Sequence, residues 1–156
     1  MRAPMGSTSA LGALRTLLRG NAYAPGDAGY DEASRAWNLS VEQRPAVAVV
    51  AEGVADVLAA VRVAGDAGMG VGVMATGHGV GAPCVGGVLV NTSRLRGVRI
   101  DPVARTAKVE AGALWKDVIL AAQAHGLAGL AGSAPASASS ATRWAAGSAG
   151  SGACTA

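Results

Sequence analysis

Phenylalanine is absent from this 156-residue chain, and aromatic residues together make up only 3% of it. A hydrophobic core must therefore be built from Val, Ala and Leu, which bring little volume per side chain. Charge is scarce too. Charged residues are 15% against 51% apolar, a balance that permits burial and excludes wholesale disorder. The formal net charge is +3 and the arginines are dispersed. That excludes the clustered basic face with interleaved aromatics that nucleic-acid binding needs. Cysteine is limited to Cys84 and Cys154, without CxxC or metal-type spacing, so neither a zinc site nor a disulfide framework is implied. Long apolar runs are missing as well. The stretch from Ala10 to Leu18 is broken by Arg15, which makes a poor leader and no membrane span, so a cytoplasmic location is expected.

What the chain does have is glycine, 23 residues of it, set among short apolar runs. Ser9 and Ala10–Arg19 read as a short amphipathic helix, with Leu11, Leu14, Leu17 and Leu18 on one side and Gly20 as its stop. Asn21 to Glu32 is turn-rich and expected to be extended. Ala46–Val50, after Pro45, suits a buried strand. Val54–Ala67 carries Val54, Val57, Leu58 and Val61 at the i, i+3, i+4, i+7 spacing of a helix packed on a sheet, closed by Gly68. Further strands are expected at Gly70–Met74, Val88–Asn91, Val98–Ile100 and Thr106–Ala111. A last helix is expected at Leu114–His125, with Leu114, Val118, Ala121 and Ala122 inward and Gly126 at its end. The order β-α-β-β-β-β-α predicts an α+β unit, a small mixed sheet with flanking helices. It is not the regular alternation of a dinucleotide-binding Rossmann sheet.

Between the second and third strands lies the loop Met74-Ala75-Thr76-Gly77-His78-Gly79-Val80-Gly81. Glycine lets backbone N–H groups approach an anion, and consecutive amides can form a concave nest for a pyrophosphate. The loop has no lysine, which excludes a P-loop, and its glycines do not fit GxGxxG. Glycine content alone is equally compatible with a surface turn. His78 adds chemistry: set between two glycines, it has no packing reason to be there, and its flanking chain can approach a flat ligand.

The ordered motifs Trp37-Asn38-Leu39-Ser40, Gln43-Arg44-Pro45, Thr76-Gly77-His78-Gly79 and Gly87-Val88-Leu89-Val90-Asn91-Thr92-Ser93-Arg94-Leu95 carry a resemblance. It continues through Val98-Arg99-Ile100-Asp101-Pro102, Val109-Glu110-Ala111-Gly112-Ala113-Leu114-Trp115 and His125-Gly126-Leu127 to Gly132-Ser133-Ala134-Pro135. The series resembles the berberine-bridge-enzyme-like flavoproteins, in the superfamily of vanillyl-alcohol oxidase and p-cresol methylhydroxylase. The resemblance implies residues 23–135 as the N-terminal part of a PCMH-type FAD-binding domain, preceded by a helix and lead-in over residues 1–22. It further implies FAD as cofactor, with Ala75, Thr76, Gly77, His78, Gly79, Gly81 and Ser133 as binding residues. The histidine matching His78 often forms an 8α-linked bond to the flavin in this family.

The chain also departs from the pattern. The family's loop is closer to Arg-x-Gly-Gly-His, where this chain has Met74-Ala75-Thr76-Gly77-His78. Doubly tethered members carry Gly-x-Cys-Pro, and Ala134 stands in the cysteine's place, so a second covalent link is not expected. Cys84 reads as a passive thiol. Trp37 and Trp115 read as packing residues, Asp101 as a turn residue, and Asp117 as part of a solvated helix face. His125 is placed by the helix dipole.

After Pro135 the composition changes: of the 21 residues 136–156, 18 are Ala, Ser, Gly or Thr. That is a low-complexity tail, which by itself cannot bury enough surface to fold. GC-rich codons can be chosen for Ala136 to Ala156 that regroup, once a single G is restored upstream, into GVGVVGYTLGGGLGWLGRVYG. That string resembles the glycine-rich FAD-contacting segment the family has at this point. The expectation is a frameshift near the Pro135 codon and a truncated product.

Three functions follow as expectations. The first is an FAD-dependent oxidoreductase of oxidase type acting on a small-molecule substrate. The second is a non-catalytic, truncated remnant without stable flavin binding. The third, from the glycine loop alone, is a small module for a phosphate ligand.

Overall fold

Four consecutive small apolar residues, Val47–Val50, form a strand buried on both faces, because a period of two sends alternate side chains to opposite sides. The computed structural model describes residues 6–129 and 135–138. The chain divides into two units, residues 1–94 and 95–156. The first unit runs α1 (Ser7–Leu17), β1 (Asn21–Tyr23), α2 (Tyr30–Ser34), β2 (Val47–Val50), α3 (Val54–Asp66), β3 (Val71–Met74) and β4 (Val88–Asn91). The second holds β5 (Val98–Asp101), β6 (Thr106–Val109) and α4 (Trp115–Gln123). The element order expected from β2 onward is the one observed, and the α+β class with a small mixed sheet and flanking helices holds.

In the first unit the sheet order is β1-β2-β4-β3. β1 is antiparallel to β2, while β2 and β3 both run parallel to the central β4. One face of the sheet presents Val47, Val49, Val88 and Val90 to Ala10 and Leu14 of α1 and to Ala60, Val63 and Ala64 of α3. Each of these fully buried valines contributes about 2 kcal/mol by leaving water. The other face carries Ala48 and Val50 against Ala33, Tyr23 and Tyr30, and Leu89 against Ala36, Met74, Val80 and Cys84. Thus α2 and the glycine-rich loop cover the side opposite α1 and α3.

Several expectations for this unit change. The turn-rich stretch from Asn21 to Glu32 contains β1 and the start of α2. Asp27 organises it by accepting from the Ala24 N–H at 2.7 Å and from Arg15 at 2.5 Å. In α1, Leu14 is buried but Leu17 is exposed. α3 turns a different face inward than expected. Val54, Leu58 and Val61 are exposed, and Ala60, Val63, Ala64 and Ala67 are buried. Both sets obey the same i, i+3, i+4, i+7 spacing, so periodicity alone does not separate them. The alanine-rich stripe faces inward because small side chains let α3 approach α1 and the sheet closely.

Asp56, on the first turn of α3, is only 1% exposed. Its carboxylate accepts the N–H groups of Arg19 at 2.9 Å, Gly20 at 3.1 Å and Glu52 at 2.8 Å. Burial alone raises its pKa. The three N–H bonds and the charge of Arg19 together outweigh burial and leave it below the usual aspartate value.

In the second unit β5 and β6 form an antiparallel pair, with Val98 opposite Val109. The Asp101 carboxylate accepts the N–H groups of Val103 and Ala104 at 3.0 and 2.9 Å, the turn role expected of it. α4 buries Trp115, Val118 and Ala122, and Trp115 is the packing residue expected. Asp117 is not merely solvated: its Oδ2 accepts the Leu114 N–H at 3.2 Å and caps the helix. The first residues beyond Pro135 pack back onto this helix start. The N–H of Trp115 donates to Ser137 and that of Lys116 to Pro135 at 3.2 and 3.1 Å, and both Ser137 and Ala138 are buried. The rest of the expected tail lies outside the described residues.

Candidate FAD site

Parallel β3 and β4 are neighbours, so the chain must return from the C-terminal end of one to the N-terminal start of the other. A helix usually makes that return. Here residues 75–87 do it as a loop lying over Leu89, and five of those residues are glycine. Its first half stands at the carboxyl ends of the parallel strands, the side of an α/β sheet where ligands bind. Thr92 fixes the start by donating its backbone N–H to the Met74 carbonyl at 2.8 Å. Its second half pairs with residue 44: the Arg44 N–H donates to the Cys84 carbonyl at 3.0 Å and the Gly86 N–H to the Arg44 carbonyl at 2.9 Å. The Cys84 N–H is taken up by Gln43 Oε1 at 2.8 Å.

The loop's first half is held by the segment after α2. The Trp37 N–H donates to the Thr76 carbonyl at 2.9 Å, and the Asn38 N–H reaches the Gly77 carbonyl at 3.4 Å. Between them, Gly77 adopts φ +76°, and a Cβ there would lie 2.7 Å from both Cα and Cβ of Ala36. Only glycine fits. His78 follows, half-buried, with Nδ1 2.9 Å from Thr76 Oγ1. Its ring stacks on Trp37, with centroids 4.2 Å apart and planes 11° from parallel. Trp37 is 68% exposed, so it is not the packing residue the sequence suggests. It makes one wall of the site. An aromatic just before a turn-forming Asn38 and Ser40 was the available signal.

The structure brings Ala75, Thr76, Gly77, His78, Gly79 and Gly81 together on one loop. Ser133 lies outside the described residues. A Cβ at Gly79 or Gly81 would meet nothing within 4 Å, so the chain there is open to an incoming group. The N–H groups of Gly77, His78, Gly79 and Gly81 have no acceptor among the described residues. No Asp or Glu occurs from residue 74 to 87 to repel an anion. Free amides, open glycines and an imidazole on one segment fit a flat cofactor with a pyrophosphate. No group of His, Cys, Asp or Glu among the described residues is placed to hold a metal ion.

Residues 45–155 match the family model described as the FAD binding domain. This chain belongs to that family. FAD is accordingly its cofactor class, and the flavoprotein character expected from the sequence holds. An FAD-linked oxidoreductase of Dictyostelium discoideum is 25% identical over 78% of this chain and 27% of its own length. The (R)-6-hydroxynicotine oxidase of Paenarthrobacter nicotinovorans is 27% identical over 71% of this chain and 25% of its own. The chain therefore spans about a quarter of the length of the curated relatives it matches. Among solved structures, 6-hydroxy-D-nicotine oxidase from Arthrobacter nicotinovorans superposes with a TM-score of 0.68 at 25% identity, over 78% of this chain and 27% of that one. Aclacinomycin oxidoreductase does so with a TM-score of 0.65 at 28% identity, over 76% and 25%. A Physcomitrella patens BBE-like protein gives 0.62 at 27%, over 75% and 25%. The mixed sheet with flanking helices is thus the fold of this family's FAD-binding part. No helix among the described residues is long and apolar enough to cross a membrane.

Proposed function

We propose that this chain is the cofactor-anchoring part of an FAD-dependent oxidoreductase of oxidase type, in the berberine-bridge-like branch, acting on a small organic molecule. The observation that carries the reading is the placement of His78, held edge-on by Thr76 and face-on by Trp37 within an open glycine loop. Bound FAD would supply the two-electron redox chemistry. The chain's own part is to present amides from Gly77 to Gly81 to the pyrophosphate and to offer the His78 imidazole as the flavin anchor. Ala75 and Thr76 shape the loop's entry, and Ser133 is proposed as a further contact. Ala10 and Leu14 pack into the core, which makes α1 part of the fold. A cytoplasmic location is proposed.

The test is direct. The purified chain, incubated with FAD and freed of excess cofactor, is expected to be yellow, and flavin is expected to stay with acid-precipitated protein. His78→Ala should lose the acid-stable fraction. A colourless wild-type chain would instead favour the reading of a remnant without stable flavin binding.

Residues 136–156 are proposed to be an out-of-frame reading, a reading compatible with codons that can be chosen for them and regrouped by one base. The reach of the family match to residue 155 supports the in-frame alternative. The nucleotide sequence across the Pro135 codon separates the two.

A further inference from the structure

We propose that Cys84 is an oxidation site, whose thiol takes one oxygen from a hydroperoxide and whose sulfenic acid is held by the Gln43 amide. The inference stands apart from the flavin reading. Gln43 is only 9% exposed, and half of its carboxamide is unused. Its Oε1 accepts the Cys84 N–H at 2.8 Å. A backbone N–H can only donate, so this bond fixes which branch of the amide is oxygen and which is nitrogen. Nε2 is buried and has no acceptor among the described residues. A buried donor of this kind is costly, and it marks a place beside residue 84 for one more acceptor atom. Cys84 can supply that atom. Its thiol is free and half-buried. The sulfur rests against two glycines: a Cβ on Gly72 would come within 3.1 Å of Sγ and one on Gly87 within 3.3 Å. Their bare Cα atoms leave the sulfur uncrowded on those sides. A thiol sulfur is a weak acceptor, and it leaves Nε2 unpartnered as it stands. An oxygen bonded to the sulfur extends its reach and is a full acceptor. In the step itself the thiolate attacks one peroxide oxygen. The S–O bond forms and the O–O bond breaks. The departing hydroxide takes up the thiol's proton and leaves as water. Sulfur is oxidised by two electrons and the peroxide is reduced by two. Because Nε2–H only donates, it serves the new oxygen whether that oxygen is protonated or not.

The chain has two cysteines, so the full chain with Cys154→Ser carries Cys84 as its one thiol. Hydrogen peroxide is added and then destroyed with catalase. The sulfenic acid is trapped with dimedone at intervals and located by mass spectrometry, with Cys84 expected to carry the adduct. Gln43→Glu keeps an oxygen for the Cys84 N–H and removes the Nε2 donor. It should shorten the life of the sulfenic acid about fivefold, the equivalent of one ordinary hydrogen bond. The sulfur should then pass on to sulfinic acid. Gln43→Met removes the donor without adding charge and serves should the glutamate variant not fold. Alkylation of the reduced chains by iodoacetamide reports access to the thiol separately. A variant that loses its sulfenic acid faster while being alkylated at the unsubstituted rate supports the proposal. Lifetimes that merely track the alkylation rates overturn it, and so does a Cys84 that yields no adduct. A lifetime unchanged without the amide also overturns it and leaves Nε2 to a buried water.

Discussion

The indole of Trp37 lies flat against the imidazole of His78, 4.2 Å between ring centroids and 11° from parallel. This contact gives an exposed tryptophan a reason to be where it is, and it ties the segment after α2 to the glycine loop. Trp37→Leu is expected to cost about 1 kcal/mol, the usual worth of an aromatic pair beyond area burial. Flavin affinity should fall with it. Urea unfolding and a flavin-fluorescence titration check both, and an unchanged pair of values would rule out a role for the stack.

Gly77 and Gly79, on either side of His78, make opposite forecasts. Gly77 sits at φ +76° with the backbone of Ala36 in the way of a Cβ, while at Gly79 nothing lies within 4 Å. Gly77→Ala should destabilise by about 2–3 kcal/mol through strain and clash. Gly79→Ala should leave stability within about 0.5 kcal/mol of wild type. Thermal melts of the two variants side by side decide it.

Asp56 supplies a pH dependence. Its folded pKa lies below the ordinary aspartate value of 3.8, so its contribution is present in full above that value. It is lost as the pH falls through the depressed folded pKa. Asp56→Asn should therefore flatten the acid limb of the stability curve. At neutral pH it should cost about 2–3 kcal/mol, since the carboxylate serves three backbone N–H donors. Denaturant midpoints taken from pH 7 to pH 3 test this, and parallel curves for the two proteins would count against it.

The inward face of α3 can be tested by substitutions of opposite sense. Ala60 is fully buried against the sheet, whereas Leu58 on the same helix is 52% exposed. Ala60→Leu is expected to overpack and cost about 1–3 kcal/mol. Leu58→Ala should change stability by less than about 0.5 kcal/mol. The reverse ranking in chemical denaturation would restore the face that periodicity alone suggests.

Much of this molecule is written locally. The run Val47–Val50 is a strand because small apolar residues follow a proline. Gly68 and Gly126 end helices where a left-handed residue is needed. The run of glycines from Gly77 to Gly81 around His78 is local too, and it is the resemblance to a flavoprotein family that makes it a candidate cofactor loop. Shorter elements were not legible. β1 and α2 span three and five residues, too few for a period to show, and they exist because the sheet edge and Asn91 receive them. Asn91 Nδ2 donates to the Ala33 carbonyl at 2.9 Å, a contact no local pattern announces.

By itself, then, the sequence determined the element order from β2 onward and the glycine loop after β3. These are matters of short-range period and backbone freedom. Only the tertiary structure decided which of two equally spaced stripes α3 buries. Only it brought Trp37 onto His78 and gathered three amides around Asp56. In each case residues far apart in the chain compete for one place, and packing volume and unsatisfied N–H groups settle the outcome.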